Sequence, residues 1–284
     1  MKIAFIGFGE AGQAFVTNWS AEHRKASSGF DLKSGDKENG MTARYAQFDV
    51  TECFSCNAAT AEADVIFSLV TADEAINAAT ACKALIPNAL FLDCNSVSPG
   101  TKRVNAATIQ AAGGRYVDVA VMAPVYPALN KVPLLLSGEH APAAEAILTT
   151  LGMNPTTLEG EVGLSSSIKM IRSIIVKGME ALSAECVLTA VKAGIDETVL
   201  SSLAKSFPGI EWAGQAAYNM ERMSVHGRRR AAEMAESAKT IEELGLPNFI
   251  TQGTVKWQSL IGELGYAPTS EDYKTIAADL LKKL

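Results

Sequence analysis

The segment Ile3-Ala4-Phe5-Ile6-Gly7-Phe8-Gly9-Glu10-Ala11-Gly12 decides the fold of this chain. Its first four residues form a short apolar run typical of a buried strand, and the next six have the spacing GxGxxG where a helical pattern begins. The first glycine of such a loop permits a tight turn, the second lets backbone amides approach a pyrophosphate, and the third lets the helix pack closely on the strand. The helix N-terminus favours the negative charge of a diphosphate. The sequence therefore predicts that Gly7, Phe8, Gly9, Glu10, Ala11 and Gly12 bind a dinucleotide.

Strands and helices alternate through the first half of the chain. Short apolar runs predict strands at 3–6, 63–70, 90–93, 116–121 and 134–136, with helices at 75–85, 101–112 and 142–151 between and after them. This alternation indicates βαβ units and a mostly parallel sheet. We expect a Rossmann α/β domain at residues 1–162.

The second half of the chain is helical in pattern. No proline occurs between Pro155 and Pro208, and apolar residues recur at helical spacing from 165 to 193. Further helices are predicted at 199–206, 211–224, 228–244, 252–264 and 271–284. We expect an all-α domain at residues 163–284, which binds the substrate and forms a homodimer because its apolar faces require burial.

Composition excludes several classes of protein. The chain has 284 residues, is 48% hydrophobic and carries a net charge of -6, which is typical of a soluble protein and unlike a nucleic-acid binder. It has neither a signal-peptide pattern nor an apolar run long enough to cross a membrane. Its five cysteines include a single CxxC without the further ligands of a zinc site, so we expect free thiols, no metal and a cytoplasmic location.

Asp31 is the candidate ligand of the adenosine ribose. It lies about 20 residues after Gly12, where an acidic residue hydrogen-bonds the ribose hydroxyls of NAD. Its charge opposes the 2′-phosphate of NADP, whereas Lys33 and Lys37 offset that repulsion. NAD is favoured over NADP, and an ordinary surface aspartate remains the alternative interpretation of Asp31.

Polar residues follow the predicted strands at the points where the strands end. Ligands of such sheets bind outside the carboxyl ends of the strands, although turn chemistry alone also explains polar residues there. The candidate cofactor ligands at these ends are Leu69, Val70, Thr71 and Asn95, and the candidate substrate ligands are Asn95, Ser96, Met122 and Ala123.

Four motifs in order resemble those of the β-hydroxyacid dehydrogenase superfamily, which includes 3-hydroxyisobutyrate dehydrogenase and 6-phosphogluconate dehydrogenase. They are the glycine loop 7–12, Asp31-Leu32, the segment 93–99 and the spacing Gly160-x-x-Gly163-x5-Lys169. The segments 169–173 and 223–229 resemble a branch of this superfamily with its own helical C-terminal domain. The resemblance implies that Lys169 is the catalytic lysine and that Asn95 and Ser96 contact the substrate.

The chain departs from the superfamily pattern at two places. Ser173 stands where the superfamily usually has an asparagine four residues after the lysine, and Met122-Ala123-Pro124 replaces its Gly-Gly turn. Ser173 shares a helix face with Lys169 and is a second candidate catalytic residue. Arg172 is a candidate partner of a substrate carboxylate, with a structural salt bridge as the alternative. His226 is a further candidate substrate ligand.

The resemblance implies an NAD(P)-dependent oxidoreductase that transfers a hydride between the nicotinamide and a small hydroxy acid, or its keto or aldehyde form, with Lys169 as acid and base. An imine or non-acid carbonyl reductase on the same scaffold is the alternative enzyme. A non-catalytic NAD(P)-binding protein is the alternative from another class.

Overall fold

The structure is a computed structural model that describes residues 1–36, 38, 40–83 and 85–284. It divides into two compact units, Met1–Met170 and Ile171–Leu284. The division falls within a single long helix, Leu164–Ala193, later in the chain than the predicted boundary after residue 162.

The described part of the first unit contains eight strands, which form one sheet. They are β1 (Ile3–Ile6), β2 (Ser27–Phe30), β3 (Thr51–Glu52), β4 (Val65–Ser68), β5 (Leu90–Asp93), β6 (Arg115–Val121), β7 (Pro133–Ser137) and β8 (Asn154–Thr157). Their order is β3-β2-β1-β4-β5-β6-β7-β8, and all neighbours pair in parallel except β6 and β7. The predicted, mostly parallel α/β sheet is confirmed.

Seven α-helices in the described part of this unit connect the strands. They are α1 (Glu10–Val16), α2 (Ala21–Lys25), α3 (Met41–Gln47), α4 (Cys56–Thr60), α5 (Ala75–Ala81), α6 (Pro99–Ala111) and α7 (Ala141–Thr150), with short 3₁₀ turns at Ala72–Glu74 and Leu129–Lys131. Both faces of the sheet are buried, since Phe5 packs in one apolar cluster with residues of α1, α3 and α7 while Ile6 packs in another with residues of α4, α5 and α6. Because both faces are covered, the strands contain almost uninterrupted apolar residues.

The strand order reverses between β1 and β4, since β2 lies on the other side of β1. The carboxyl ends of β1, β4, β5 and β6 lie at the same edge of the sheet because these strands are parallel. Doubly wound sheets bind their ligands at such an edge, next to the reversal. We therefore expect the ligand-binding site at this edge of the sheet.

The second unit is helical, as predicted. The long helix α8 (Leu164–Ala193) continues into it from the first unit and is followed by α9 (Asp196–Ser206), α10 (Trp212–Glu243), α11 (Phe249–Glu263) and α12 (Tyr273–Lys283). Its apolar core combines residues of all five helices, among them Leu188, Met220, Ile261 and Leu280.

Helix α10 corrects one prediction. The sequence indicated two helices, 211–224 and 228–244, but the structure has one helix through Gly227. A Cβ on Gly227 would lie 2.8 Å from the Cα of Gly262 in α11, so the glycine serves the close approach of two helices rather than a break in one.

All five cysteines are free thiols. Within the described residues, no helix is both long and apolar enough to cross a bilayer.

Candidate functional site

The glycine loop joins β1 to α1 at the sheet edge defined above. Gly7 has a φ of +86°, and a Cβ on it would lie 2.6 Å from the Leu69 carbonyl oxygen, so only glycine fits beside the end of β4. A Cβ on Gly12 would lie 3.1 Å from the Phe8 ring and 3.3 Å from the Gly7 carbonyl oxygen. A Cβ on Gly9 would meet no described atom within 4 Å. Two of the glycines therefore serve packing, and the middle one borders open space before the helix N-terminus, which fits a pyrophosphate.

Asp31 follows β2 directly and contacts the glycine loop. Its Oδ2 accepts a hydrogen bond from the backbone N–H of Phe8 at 3.1 Å, and its Oδ1 accepts one from the N–H of Lys33 at 3.0 Å. The carboxylate is half-buried beside the loop, where a ribose ligand is expected. Lys37, the other cation weighed for a 2′-phosphate, lies outside the described residues.

The remaining loop residues have different surroundings. The Phe8 side chain is buried and stacks on Tyr45 with ring centroids 4.6 Å apart, so only its backbone faces the loop. Glu10 is exposed and Ala11 is half-buried in the first turn of α1.

The ends of β4 and β5 are joined by the side chain of Asn95. Its Oδ1 accepts from the N–H of Val70 at 2.8 Å, and its Nδ2 donates to Ser68 Oγ at 2.9 Å. The side chain is buried, with both ends of the amide engaged. Asn95 thus holds Leu69-Val70-Thr71 beside the segment that carries Ser96. Whether Asn95 also contacts cofactor or substrate stays a prediction.

Ser96 and Lys169 are brought together from distant parts of the chain. Lys169 Nζ donates a hydrogen bond to Ser96 Oγ at 2.6 Å, and both residues are half-buried. Ser96 follows β5, and Lys169 lies in the second turn of α8 within the first compact unit. An amine and a hydroxyl in this contact can hold and move a proton at a bound oxygen.

The other candidates are placed as follows. Met122 is half-buried and Ala123 is exposed, both directly after β6, where the N–H of Met122 donates to the Pro133 carbonyl at 2.9 Å. Arg172, Ser173 and His226 belong to the second unit, the first two on α8 and the last on α10. Their roles stay predictions.

Sequence reasoning missed two buried charged residues near the site, Lys102 on α6 and Asp118 on β6. A lysine in the apolar stripe of the predicted helix 101–112 was the available signal. Among the described residues, no group of three or more His, Cys, Asp or Glu side chains is placed to hold a metal ion.

Comparison with known proteins identifies both halves of the chain. Residues 2–160 match the family described as the NAD binding domain of 6-phosphogluconate dehydrogenase, and residues 190–261 match a domain of unknown function, DUF1932. A solved structure of a conserved hypothetical protein from Sinorhizobium meliloti 1021 is 34% identical, covers 100% of this chain and 97% of its own, and superposes with a TM-score of 0.76.

Two dehydrogenases are also similar. A 3-hydroxyisobutyrate dehydrogenase from Pseudomonas aeruginosa is 27% identical over 74% of this chain and 71% of its own length. The solved structure of 3-hydroxyisobutyrate dehydrogenase from Mycobacterium tuberculosis with L-serine shares the fold at 17% identity, with a TM-score of 0.71 and 98% of each chain covered.

The fold and the glycine loop define an NAD(P)-binding protein with the fold of the hydroxyacid dehydrogenases. The chain belongs to the family of the NAD binding domain of 6-phosphogluconate dehydrogenase, within the β-hydroxyacid dehydrogenase superfamily, and carries a DUF1932 domain in its helical half.

Proposed function

We propose that the protein is an NAD(P)-dependent dehydrogenase that interconverts a small hydroxy acid and its keto or aldehyde form. The observation that carries the proposal is the 2.6 Å hydrogen bond from Lys169 Nζ to Ser96 Oγ at the carboxyl end of β5. Members of the family are oxidoreductases, and the Pseudomonas relative is named for a hydroxy acid.

Different residues of the chain would bind different parts of the cofactor. The N–H groups of the glycine loop would hold the diphosphate, with the open space at Gly9 admitting it. Asp31 would accept hydrogen bonds from the ribose hydroxyls, which favours NAD over NADP. When bound, the nicotinamide ring accepts or supplies the hydride.

Lys169 would supply the acid–base chemistry. In the oxidation, its neutral amine takes the hydroxyl proton as the hydride leaves the adjoining carbon. In the reduction, its ammonium returns that proton to the carbonyl oxygen. Ser96 Oγ accepts a hydrogen bond from Lys169 Nζ and would thereby orient the amine. The O–H of Ser96 can itself donate to a substrate oxygen.

Three residues of the second unit complete the proposal. Ser173 follows Lys169 by one turn of α8 and would add a hydrogen bond, and Arg172 would pair with the substrate carboxylate. His226 on α10 stays a predicted substrate ligand.

A substrate screen tests the proposed reaction. Absorbance of NADH and NADPH is followed in both directions with a panel of 3-hydroxy acids, the matching semialdehydes and keto acids, and cyclic imines. Turnover of a hydroxy acid is the expected result. Reduction of imines alone would favour the alternative reductase, and tight cofactor binding without any turnover would favour a non-catalytic protein.

We also propose a homodimer formed through the helical domain. Leu244, Leu246, Phe249 and Ile250 are exposed around the connection from α10 to α11, where a second copy would cover them. Sedimentation of the protein at micromolar concentration should give the mass of two chains, whereas a single-chain mass contradicts the dimer.

A further inference from the structure

Lys102 is a fully buried lysine that faces two carboxylates. It lies on α6 with 0% of its surface exposed. Its Nζ is 3.0 Å from Asp93 Oδ1 and 3.3 Å from Asp118 Oδ1, and it donates to the backbone carbonyl of Asp93 at 2.5 Å. We call these three residues the Lys102 cluster.

Asp93 fixes the backbone between β5 and Ser96 through several hydrogen bonds. It is the last residue of β5, and its Oδ1 accepts from the N–H of Asn95 at 3.0 Å. Its Oδ2 accepts from the Tyr116 hydroxyl at 2.6 Å and from Asn105 Nδ2 at 3.0 Å. A carboxylate held by this many donors cannot rotate freely, so it fixes the backbone turn that presents Ser96.

Asp118 holds the beginning of α8. Its Oδ2 accepts from the N–H of Gly163 at 3.1 Å, and from both the N–H and the hydroxyl of Ser166 at 3.0 Å. A carboxylate at a helix N-terminus satisfies unpaired N–H groups and interacts favourably with the helix dipole. Lys169 follows Ser166 within the next turn, so the direction of α8 at this point decides where Nζ lies.

The ammonium of Lys102 separates two like charges. Asp93 and Asp118 are register partners on the adjacent strands β5 and β6, where facing carboxylates repel each other. Burial disfavours the ammonium, but the charges of Asp93 and Asp118 outweigh burial and raise the pKa of Lys102 above its ordinary value. The side chain therefore stays charged throughout the neutral range and balances one of the two carboxylates.

We propose that Lys102 is a positioning residue for the Lys169–Ser96 pair. By pairing with Asp93 and Asp118 together, it holds the turn that presents Ser96 and the first turn of α8 in one fixed relation. The inference deepens the proposed function and rests on the role assigned there to Lys169.

Small substitutions at two neighbouring serines test the positioning role of Lys102 with little disturbance of the fold. Ser166 Oγ lies within hydrogen-bonding distance of both Asp118 Oδ2 (3.0 Å) and the Gly163 carbonyl (3.1 Å), whereas Ser167 donates its hydroxyl to that carbonyl at 2.6 Å. Ser166→Ala should lower kcat about threefold to tenfold with the Kd for NAD(P) unchanged, since small displacements at a reacting pair are costly. Ser167→Ala, the matched control, should leave kcat unchanged. Equal effects of the two substitutions would overturn the proposal.

The charge itself is tested by Lys102→Met, with Lys83→Met as a control that removes an exposed lysine. Lys102→Met should lower kcat about 10- to 100-fold at unchanged Kd for NAD(P). The double variant Lys102→Met/Asp118→Asn should recover most of the loss, because the amide oxygen can accept the same bonds from α8 while one negative charge is removed.

The pH dependence separates positioning by charge from a loss of packing. In Lys102→Met two buried carboxylates face each other, which raises the pKa of one of them, so activity relative to wild type should increase as the pH falls from about 9 to about 6. Burial raises the pKa of Tyr116 well above its usual range and that of Cys94 to about 12, so neither neighbour titrates in this interval. The double variant Lys102→Met/Asp118→Asn keeps the net charge of the Lys102 cluster, so its activity relative to wild type should stay constant over this interval, which controls for effects on Lys169.

Hydrogen–deuterium exchange tests the inference without turnover. Peptides covering 94–98 and 163–169 should exchange faster in Lys102→Met than in wild type and return toward wild-type rates in the double variant. If no substrate is found, the proposed function fails while this measurement still decides the positioning. Unchanged exchange in both segments, a pH-independent activity ratio, or a double variant as impaired as Lys102→Met would each overturn it.

Discussion

Lys169 Nζ and Ser96 Oγ lie 2.6 Å apart although 73 residues separate them in the chain. One residue belongs to a loop after β5 and the other to the second turn of α8, so the contact depends on the whole first unit being folded. In the proposed mechanism the amine of this pair would exchange protons and the hydroxyl would orient it. Its position at the carboxyl end of the parallel strands makes it the centre of the first prediction.

Replacing Lys169 with alanine should lower kcat by about 10² to 10⁴, the range for losing an acid–base group, with NAD(P) affinity nearly intact. The measurement is steady-state turnover on the substrate found by the screen, together with cofactor titration by fluorescence. Lys192→Ala, which removes an exposed lysine at the end of the same helix, is the control. Wild-type turnover in the Lys169 variant would leave the lysine without a catalytic role.

Ser96→Ala and Asn95→Ala should have different effects. The serine variant should lose about tenfold in kcat at nearly unchanged stability, because it removes the acceptor that orients Lys169. The asparagine variant should lose about 1–3 kcal/mol of unfolding free energy, since the N–H of Val70 and the hydroxyl of Ser68 lose their buried partner. Denaturant unfolding and kcat measured on both proteins check this; the reverse pattern would contradict the assignment.

Asp31→Ala should weaken NAD binding about 10- to 100-fold, because charge-assisted hydrogen bonds to the ribose are lost. It should also reduce the difference in Kd between NAD and NADP, because the repulsion of a 2′-phosphate is lost as well. Asp31→Asn is the matched variant, since its single amide oxygen keeps an acceptor for one of the two N–H groups, that of Phe8 or that of Lys33, which the carboxylate binds with separate oxygens. It should improve NADP binding relative to NAD with less damage to the loop. Unchanged affinity for both cofactors in both variants would place Asp31 away from the ribose.

Gly9→Val should abolish cofactor binding while the unfolding free energy stays within about 1 kcal/mol of wild type, because its Cβ meets no described atom within 4 Å. Gly7→Ala should instead destabilise the fold by about 1–3 kcal/mol, since φ is +86° and Leu69 lies in the way. Calorimetric titration with NAD and thermal unfolding measure the two effects. Normal NAD affinity in Gly9→Val would refute the loop assignment.

In the helical unit, Gly227→Ala should lower stability by about 1–3 kcal/mol, because α10 and α11 would have to separate at Gly262. Gly253→Ala on α11 is the matched control: a Cβ there meets no described atom within 4 Å, and alanine should stabilise the helix by about 0.5–1 kcal/mol. Opposite shifts in thermal unfolding are expected. Shifts of the same sign would contradict the packing described for Gly227.

The parts of the fold that the sequence predicts are those with local signals. The glycine loop and the apolar strands β1, β4 and β5 are each recognisable within ten residues. Strand β2 has no such signal: Ser27, Ser28 and Gly29 carry no apolar pattern, and Gly29 is required only because a Cβ would lie 2.7 Å from the ring of Tyr45. That requirement is a tertiary contact and leaves no periodicity in the chain.

The site divides in the same way. Asp31 is predicted from its spacing after the glycine loop, and Lys169 and Ser96 are predicted from the resemblance to the β-hydroxyacid dehydrogenases. Lys102 does not, because its partners Asp93 and Asp118 come from two different strands and become neighbours only when β5 and β6 pair. A helical pattern predicts that position 102 faces inward, but it gives no reason for a charge there.

The two edges of the sheet have a consequence for the protein in concentrated solution. Strand β3 has only two residues, and β8 carries Pro155, which has no N–H to donate. Exposed strand edges are where partly folded chains recruit one another into aggregates, and short or proline-containing edges are poor templates for that growth. Although its interior is apolar, this sheet therefore has two edges that neighbouring molecules extend poorly.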